Sequence, residues 1–456
     1  MKRITYILAI TGVLLSSCND VLDIKPYGKT VPKTREEFKA LIDNTLEGID
    51  KGNTGTENVM GSISTASEME ECADNMETNI QTTDYLTNYV GDILSNRQSV
   101  YQNLYEVIRT ANITLDGYKP ATYERQDSDI IGTCYALRGV CYYQLLKQFC
   151  VPAMTADNAL GVPLVTEFNL EATPSRSTWD ATFRQAETDM KTAMSYHIAD
   201  KMYRFNDDVM CGYLARLYHW SGHWQEAYDY AMKVVERHPL LDSTEYRKMQ
   251  DATYGLVGNR IAMGSLLFNS NLSPSSRFET LKGRPLSKRF LDLFNEGDRD
   301  VRYASIVAKK RRNNKMPRAT MRSAEMYLIA MECQAHLGNE TEAQDMLMTL
   351  RKLRTPTFPY IRLASIPKTE YIQTDATGKP LTKLMYNILR ERRKEMYMEN
   401  GDRFWELKRN GCPEFWVAVK GKKYWTRSYM YTFPIPVNDI YVNPSLQQNE
   451  GYNDVE

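Results

Sequence analysis

Glu391 and Glu395 lie one helical step of four apart in the run LMYNILRERRKEMYMENGDRFWELKRNG, on the same stripe as Leu384, Ile388 and Met398. A carboxylate on a stripe that faces a core is costly unless paired. Arg390, Arg392, Arg393 and Arg403 stand near enough in sequence to supply charge-assisted bonds. The expected chemistry is an ion network that anchors a helix, with no turnover. Asn400-Gly401 is expected to stop that helix in the left-handed conformation. Asp402 then opens a short second helix through Phe404 and Leu407 to Asn410-Gly411.

Other constellations point away from catalysis. His219 and His223 are four apart, as ligands on a helix would be, but no HExxH pattern surrounds them and Gly222 interrupts the pair, so no metal site is expected. GxSxG, Walker-type and GxGxxG loops and clustered CxxC pairs are missing from the sequence, and neither a catalytic residue nor a cofactor is assigned. A carbohydrate site needs aromatic faces for the apolar side of a sugar and amides or charges for its hydroxyls. An irregular stretch supplies Asp74, Asn75, Tyr85, Asn88 and Tyr89, and a second one supplies Tyr254, Asn259, Arg260, Asn269 and Asn271. These ten are the ligand-contact candidates. Trp220, Trp224 and Trp405 are assigned to packing, and Trp416 and Trp425 stay open as surface aromatics.

Mostly helical elements must position these groups. Thr34 with Glu37 forms a capping box before Phe38, Leu41, Ile42 and Leu46. Tyr101 to Leu115 and Ile131 to Phe149 read as two helices of a hairpin broken at Asp116-Gly117 and Pro120, and a helix opens at 174–178 and runs to Ser195. From Asp207 to Pro239 the residues Leu214, Ala215, Tyr218, Ala227 and Ala231 fit a tetratricopeptide template, in which small and aromatic side chains let two helices pack closely. A second unit places Gly338 for Gly222 and Ala343 for Ala227, with Leu347 and Leu350 continuing its face. The segment between them, 240–316, reads as a variable insertion.

Length and composition agree with a large globular body: 456 residues, 42% apolar, 25% charged, formal charge zero. Neutrality gives no pull toward nucleic acid. At the N-terminus, Lys2 and Arg3 precede an apolar run, Ile4 to Leu15, that is too short to span a bilayer and is followed by Ser16-Ser17-Cys18. That reads as a secretory signal over 1–17. Seven cysteines follow Cys18, and their odd number argues against a complete disulfide framework.

Several of these pieces resemble one family. Leu15-Ser16-Ser17-Cys18 resembles a bacterial lipobox, which would make Cys18 the lipidated first residue. ERRKEMYMENGDRFWELKRNG resembles the C-terminal signature of the RagB/SusD outer-membrane nutrient-binding lipoproteins, with Glu391, Arg392, Arg393, Glu395, Gly401 and Arg403 on it. Asn400 is inserted, Phe404-Trp405 stands for the aromatic pair and Glu406 replaces an aspartate. CNDVLDIKP, MRSAEMYLIAMECQAHLG and FPIPVNDIYVNPSLQQNEGY are similar to further family segments. The resemblance implies a mainly α, tetratricopeptide-like scaffold with irregular ligand-side loops, divided as 18–239, a ligand-side insertion 240–316 and a C-terminal part 317–456 forming one intertwined body. It further implies a lipid-anchored protein on the cell outer membrane that captures oligosaccharide for a SusC-like TonB-dependent β-barrel transporter. Peptide cargo, or less readily a surface hydrolase, remains as an alternative.

Overall fold

The computed structural model describes residues 32–52, 55–80, 89–199, 204–251, 265–268, 281–357, 362–419 and 421–452. Helices dominate: α1 Arg35–Lys51, α2 Ile63–Glu71, α3 Val90–Gly117, α4 Arg125–Phe149, α5 Trp179–Ser195, α6 Asp207–Ser221, α7 Trp224–Arg237 and α8 Ser243–Asp251. They continue with α9 Lys288–Leu291, α10 Val301–Ile306, α11 Ser323–His336, α12 Glu340–Arg354, α13 Lys383–Glu395, α14 Asp402–Arg409 and α15 Val437–Val442. No described helix is long and apolar enough to cross a membrane.

Local chemistry sets the ends of these helices. Thr34 Oγ1 accepts from the Glu37 amide while the Glu37 carboxylate accepts from the Thr34 amide, so the capping box at α1 closes as its spacing requires. Gly222 at φ 78° and Gly338 at φ 86° make the left-handed turns of the two tetratricopeptide-like pairs, α6–α7 and α11–α12. Ala227, Ala231 and Ala343 are fully buried where the helices approach. The helices stack in chain order from α3 to α7, and α7 then packs directly on α11. The two repeat pairs are therefore neighbours in space although a long segment separates them in sequence.

Strands are short and peripheral. They are β1 Asn79–Ile80, β2 Leu160–Pro163, β3 Arg176–Thr178, β4 Ser265–Phe268, β5 Val307–Ala308, β6 Arg312–Asn313, β7 Thr320–Arg322, β8 Phe415–Val419 and β9 Lys422–Thr426. Among the described residues the largest sheet joins β1 in parallel to β8, which pairs antiparallel with β9. Cys72, Cys134, Cys141, Cys150, Cys211 and Cys333 are buried free thiols, and Cys412 is a half-buried one. They pack as small apolar residues.

The ion network expected at Glu391 and Glu395 is present, and its partners differ from those the sequence suggested. Glu391 accepts from Arg351 Nε at 2.8 Å and Arg302 Nη2 at 2.8 Å, and Lys394 lies 2.8 Å away. Glu395 is clasped by both Nε and Nη2 of Arg354 at 2.9 Å and by Arg322 Nη1 at 3.0 Å. Glu399 accepts from Lys315 at 2.8 Å and Arg322 Nε at 2.7 Å. The neighbouring arginines turn elsewhere: Arg390 to the Leu293 carbonyl, Arg392 to Asp402, Arg393 to Asn75 and Asp74, and Arg403 to Asp74, Glu370 and Glu406. Successive helical residues point about 100° apart, so Arg390 and Arg392 are turned away from the adjacent Glu391, whereas Lys394, three on, reaches it; Arg392, three before Glu395, is taken by Asp402 instead.

The helix also ends earlier than expected. α13 stops at Glu395, and Met398 at φ 61° and Asn400 at φ 56° turn the chain so that it bridges the segment at Arg318, with Arg318 N–H donating to Met398 O and Asn400 N–H to Arg318 O, both at 2.8 Å. This turn delivers Glu399 to Lys315 and Arg322. Within the segment 240–316, expected as a ligand-side insertion, residues 281–316 pack into the frame: Leu286 and Phe290 are fully buried, and Arg302 joins Asp300 to both central glutamates.

Burial alone would push these carboxyls up. Lys394, Arg351 and Arg302 outweigh it and hold Glu391 well below the usual range, Arg354 and Arg322 do the same for Glu395, and Arg322 and Lys315 bring Glu399 down to about 2. A folded-state value below the unfolded one stabilises the fold at neutral pH, and this contribution fades as pH falls through the folded value. Thermal melts should therefore show the midpoint dropping steeply from about pH 4.3, the unfolded carboxylate value, toward the Glu399 value of about 2. Glu395→Ala strands Arg354 and Arg322 and should cost about 3–5 kcal/mol in urea unfolding at neutral pH. Gly401→Ala should also destabilise, because φ is 64° and an added methyl would meet the Met69 side chain.

Candidate ligand-binding face

The β8–β9 hairpin gathers aromatic side chains that the chain cannot bury. Along β9 the exposure alternates, so Lys423 and Trp425 face outward and Thr426 is covered. Trp425 stands directly opposite Trp416 in the ladder and is 43% exposed, while Trp416 is half-buried. Cross-strand pairs of this kind hold the two rings side by side on one face. The Lys423 ammonium lies 4.6 Å from the Trp416 ring centroid, and the Arg427 guanidinium lies 4.9 Å from that of Trp425. Glu414 fixes that guanidinium at 3.0 Å and accepts the Ser428 amide at 3.1 Å. The amide and the guanidinium together hold the Glu414 carboxyl below its ordinary value.

The other side of the hairpin is the anchored one. Phe415 is buried and stacks on Tyr371 at 5.1 Å, and Tyr89 stacks on Tyr424 at 4.7 Å. Partial burial pushes the Tyr89 phenol up, with Asp92 adding to the effect. Ile80 pairs with Val419 through β1. Ile80 and Tyr89 are thus both held on this hairpin, one by a ladder pair and the other by a ring stack. An aromatic, cation-edged surface of this kind can lie against the apolar face of a ring-shaped polar molecule and donate hydrogen bonds at its rim.

The sequence candidates fall into three groups. Tyr89 is half-buried at the hairpin. Asp74 and Asn75 are not ligand contacts as expected: both are 0% exposed. Asp74 accepts from Arg403 at 2.7 and 3.1 Å and from Arg393 at 3.1 Å. Asn75 takes Arg393 Nε at 2.6 Å and donates to Glu70 at 2.7 Å. Arg289 Nη1 adds a third guanidinium at 3.5 Å, so the Asp74 carboxylate is part of the frame, and a ligand would have to unseat all three to reach it. Tyr85, Asn88, Tyr254, Asn259, Arg260, Asn269 and Asn271, together with Cys18, lie outside the described residues.

The packing assignments for the repeat tryptophans hold. Trp220 and Trp405 are buried, and Trp224 stacks on His336 at 3.9 Å. His219 meets Glu332 at 2.9 Å, and burial, helped by Arg409, pushes its imidazole down to about 3, so it is neutral near pH 7. His223 stacks on Phe183. Among the described residues no group of three His, Cys, Asp or Glu side chains is placed to hold a metal ion. Sequence reasoning did not place Lys423, Arg427 and Tyr424 at the site. The alternation KKYWT opposite FWVAV was the signal for them.

Residues 20–219 match a SusD-like family model described as starch-binding associating with outer membrane, and residues 244–452 match the SusD family model. Among solved structures, a SusD superfamily protein from Bacteroides thetaiotaomicron superposes with a TM-score of 0.68 at 21% identity, covering 91% of this chain and 99% of its own. A SusD-like carbohydrate binding protein from Bacteroides vulgatus gives 0.67 at 17% identity, covering 91% and 98%. A SusD superfamily protein from Bacteroides fragilis gives 0.68 at 16% identity, covering 92% and 100%. No curated protein matches the chain. These structures share its fold, the two family models between them reach from residue 20 to residue 452, and the chain belongs to the RagB/SusD family.

Proposed function

We propose that the protein is a cell-surface lipoprotein that captures oligosaccharide on the aromatic face of the β8–β9 hairpin and passes it to a SusC-like TonB-dependent β-barrel transporter of the outer membrane. The observation that carries the binding step is the exposed Trp425 set beside Trp416, with Lys423 and Arg427 at the edges. An indole left half in water on an anchored hairpin costs solvation without adding to the core, and a sugar ring is the kind of surface it suits. Tyr85 and Asn88, on the segment between Ile80 and Tyr89, are proposed as rim contacts, and the loop residues Tyr254, Asn259, Arg260, Asn269 and Asn271 as further ones.

Membrane attachment rests on Cys18 and the apolar run before it. A diacylated or triacylated cysteine would hold the chain at the surface, since single acyl chains bind only marginally. The tetratricopeptide-like face is proposed to meet the barrel. In this reading the protein binds its cargo and leaves hydrolysis to other proteins.

Calorimetry against a panel of oligosaccharides and peptides tests the cargo. Trp425→Ala should weaken glycan binding by about tenfold or more, roughly 1.4 kcal/mol, while its thermal midpoint stays near that of the parent because the ring is outside the core. Heat with peptides alone would overturn the glycan reading. Cys18→Ala should release the protein from the membrane fraction and abolish co-purification of a β-barrel. A variant that stays attached would refute the anchor.

A further inference from the structure

A second concave site lies inside the helical body, away from the hairpin. It is a polar cleft walled by α4, α6, α11, α13 and α14, with its rim at the partly exposed Asn58, Gly61, Thr65 and Asn400. Its walls are charged, and most of those charges are answered. Arg216 grips Glu325 through Nε at 2.8 Å and Nη2 at 2.6 Å. Arg409 holds Glu332 at 2.6 and 3.0 Å. One face of Arg392 is taken by Asp402.

What is left over is mostly donors. Among the described residues the Lys147 ammonium has no carboxylate or carbonyl partner. It rests over two rings, 4.9 Å from the Trp405 centroid and 5.4 Å from that of Tyr143. Two further wall residues keep a buried donor without a partner, Arg392 at Nη1 and Trp220 at Nε1. Unmatched acceptors in the wall are Gln148 Oε1 and Glu406 Oε1. An amide can be turned to donate, and a carboxyl that carries its proton donates as well. Leaving such groups unpaired in a dry interior is costly, more so for charged ones, so the cleft has a standing demand for an acceptor.

We infer that this cleft is a binding site for a small oxyanion, sulfate-sized or carried as a carboxylate on a small molecule, with Lys147, Arg392 and Trp220 as its donors. A water molecule could satisfy one donor, but a tetrahedral or carboxylate anion offers several acceptor positions to donors on different helices and neutralises the Lys147 ammonium, which has no carboxylate or carbonyl partner among the described residues. The cleft is walled by helices and its cavity volume is only about 80 Å³, which suits a compact ion better than an oligosaccharide. It is separate from the aromatic face, so the two sites can be tested independently.

The pH response follows from the surrounding groups. Burial pushes Lys147 down to about 7, with Arg216 and Lys408 acting in the same sense against Glu325 and Asp402. Burial pushes Glu406 up to about 7, with Asp402 adding to it and Arg403 and Arg392 opposing. A bound anion favours the protonated form of both, so binding takes up protons and tightens as pH falls through neutrality.

The test is calorimetry and thermal shift on the full-length protein with sulfate and with glucuronate. Both keep their charge between about pH 6 and about pH 8, so any pH effect belongs to the protein's own groups. At least one probe should bind, several-fold more tightly at the lower pH. Lys147→Met and Trp220→Phe should each weaken it at least fivefold while leaving glycan binding at the hairpin unchanged. Lys147→Met should also melt no lower than the parent in anion-free buffer, because it removes a half-buried cation with no carboxylate or carbonyl partner among the described residues. Binding of sulfate but not glucuronate assigns a free inorganic ion, and the reverse assigns an acidic small molecule. No binding of either probe, or binding that ignores both substitutions, would leave the cleft as a water-filled void and overturn the proposal.

Discussion

Three carboxylates without access to water hold this molecule to one arrangement. Glu391, Glu395 and Glu399 lie four residues apart across the end of α13, and their partners come from 302, 315, 322, 351, 354 and 394. An apolar core would accept many small slips of one helix past another, since Leu and Ile contacts are nearly directionless. A bidentate guanidinium does not accept such a slip, because moving it by a helical step leaves a bare charge in a dry interior. The network therefore acts as a registration device joining the second repeat pair, the segment 300–322 and the C-terminal helices. What it adds in net stability is modest beside what its disruption would cost.

A second set of charges extends the same logic outward. Arg393 and Arg403 meet at Asp74, which lies just before β1, and β1 pairs with β8. The hairpin that carries Trp416 and Trp425 is thus fastened twice, through α14 from its own side of the chain and through β1 from the far N-terminal part. A binding face on a free hairpin would pay an ordering cost with each ligand. Here the frame has already met most of it.

The helical scaffold was legible in the sequence because its signals are local. Thr34 with Glu37, the Gly222 and Gly338 turns and the alanines at the repeat contacts each act over a few residues. The central glutamates were legible too, since a carboxylate on an apolar stripe has few explanations other than a buried pair. Their partners were not, because Arg302, Arg322, Arg351 and Arg354 are brought to them by tertiary packing across tens of residues. Adjacent arginines looked plausible only in one dimension. Asp74 and Asn75 show the same limit in reverse: composition marks a polar, irregular stretch as surface, yet a buried loop with three guanidiniums to answer it has the same composition.

The helix α14 shows why one short stretch can serve both structure and binding. Within Asp402–Arg409, Arg403 ties down Asp74, Arg409 ties down Glu332 in the first helix of the second repeat pair, Phe404 packs on Tyr431 and Phe433, and Trp405 carries Lys147 over its ring. Its apolar and charged side chains alternate around the helix, so it has no solvent face to spend on a ligand. Function is consequently displaced to its two ends. Just after it, the chain runs into the aromatic hairpin, and along its inner side the residual charge of Lys147 and Arg392 collects in the cleft. A buried network that satisfied every member would have no chemistry left to offer. This one closes around its carboxylates and leaves donors over, and that imbalance, set by which arginines already have partners, decides where a ligand can still be useful to the fold.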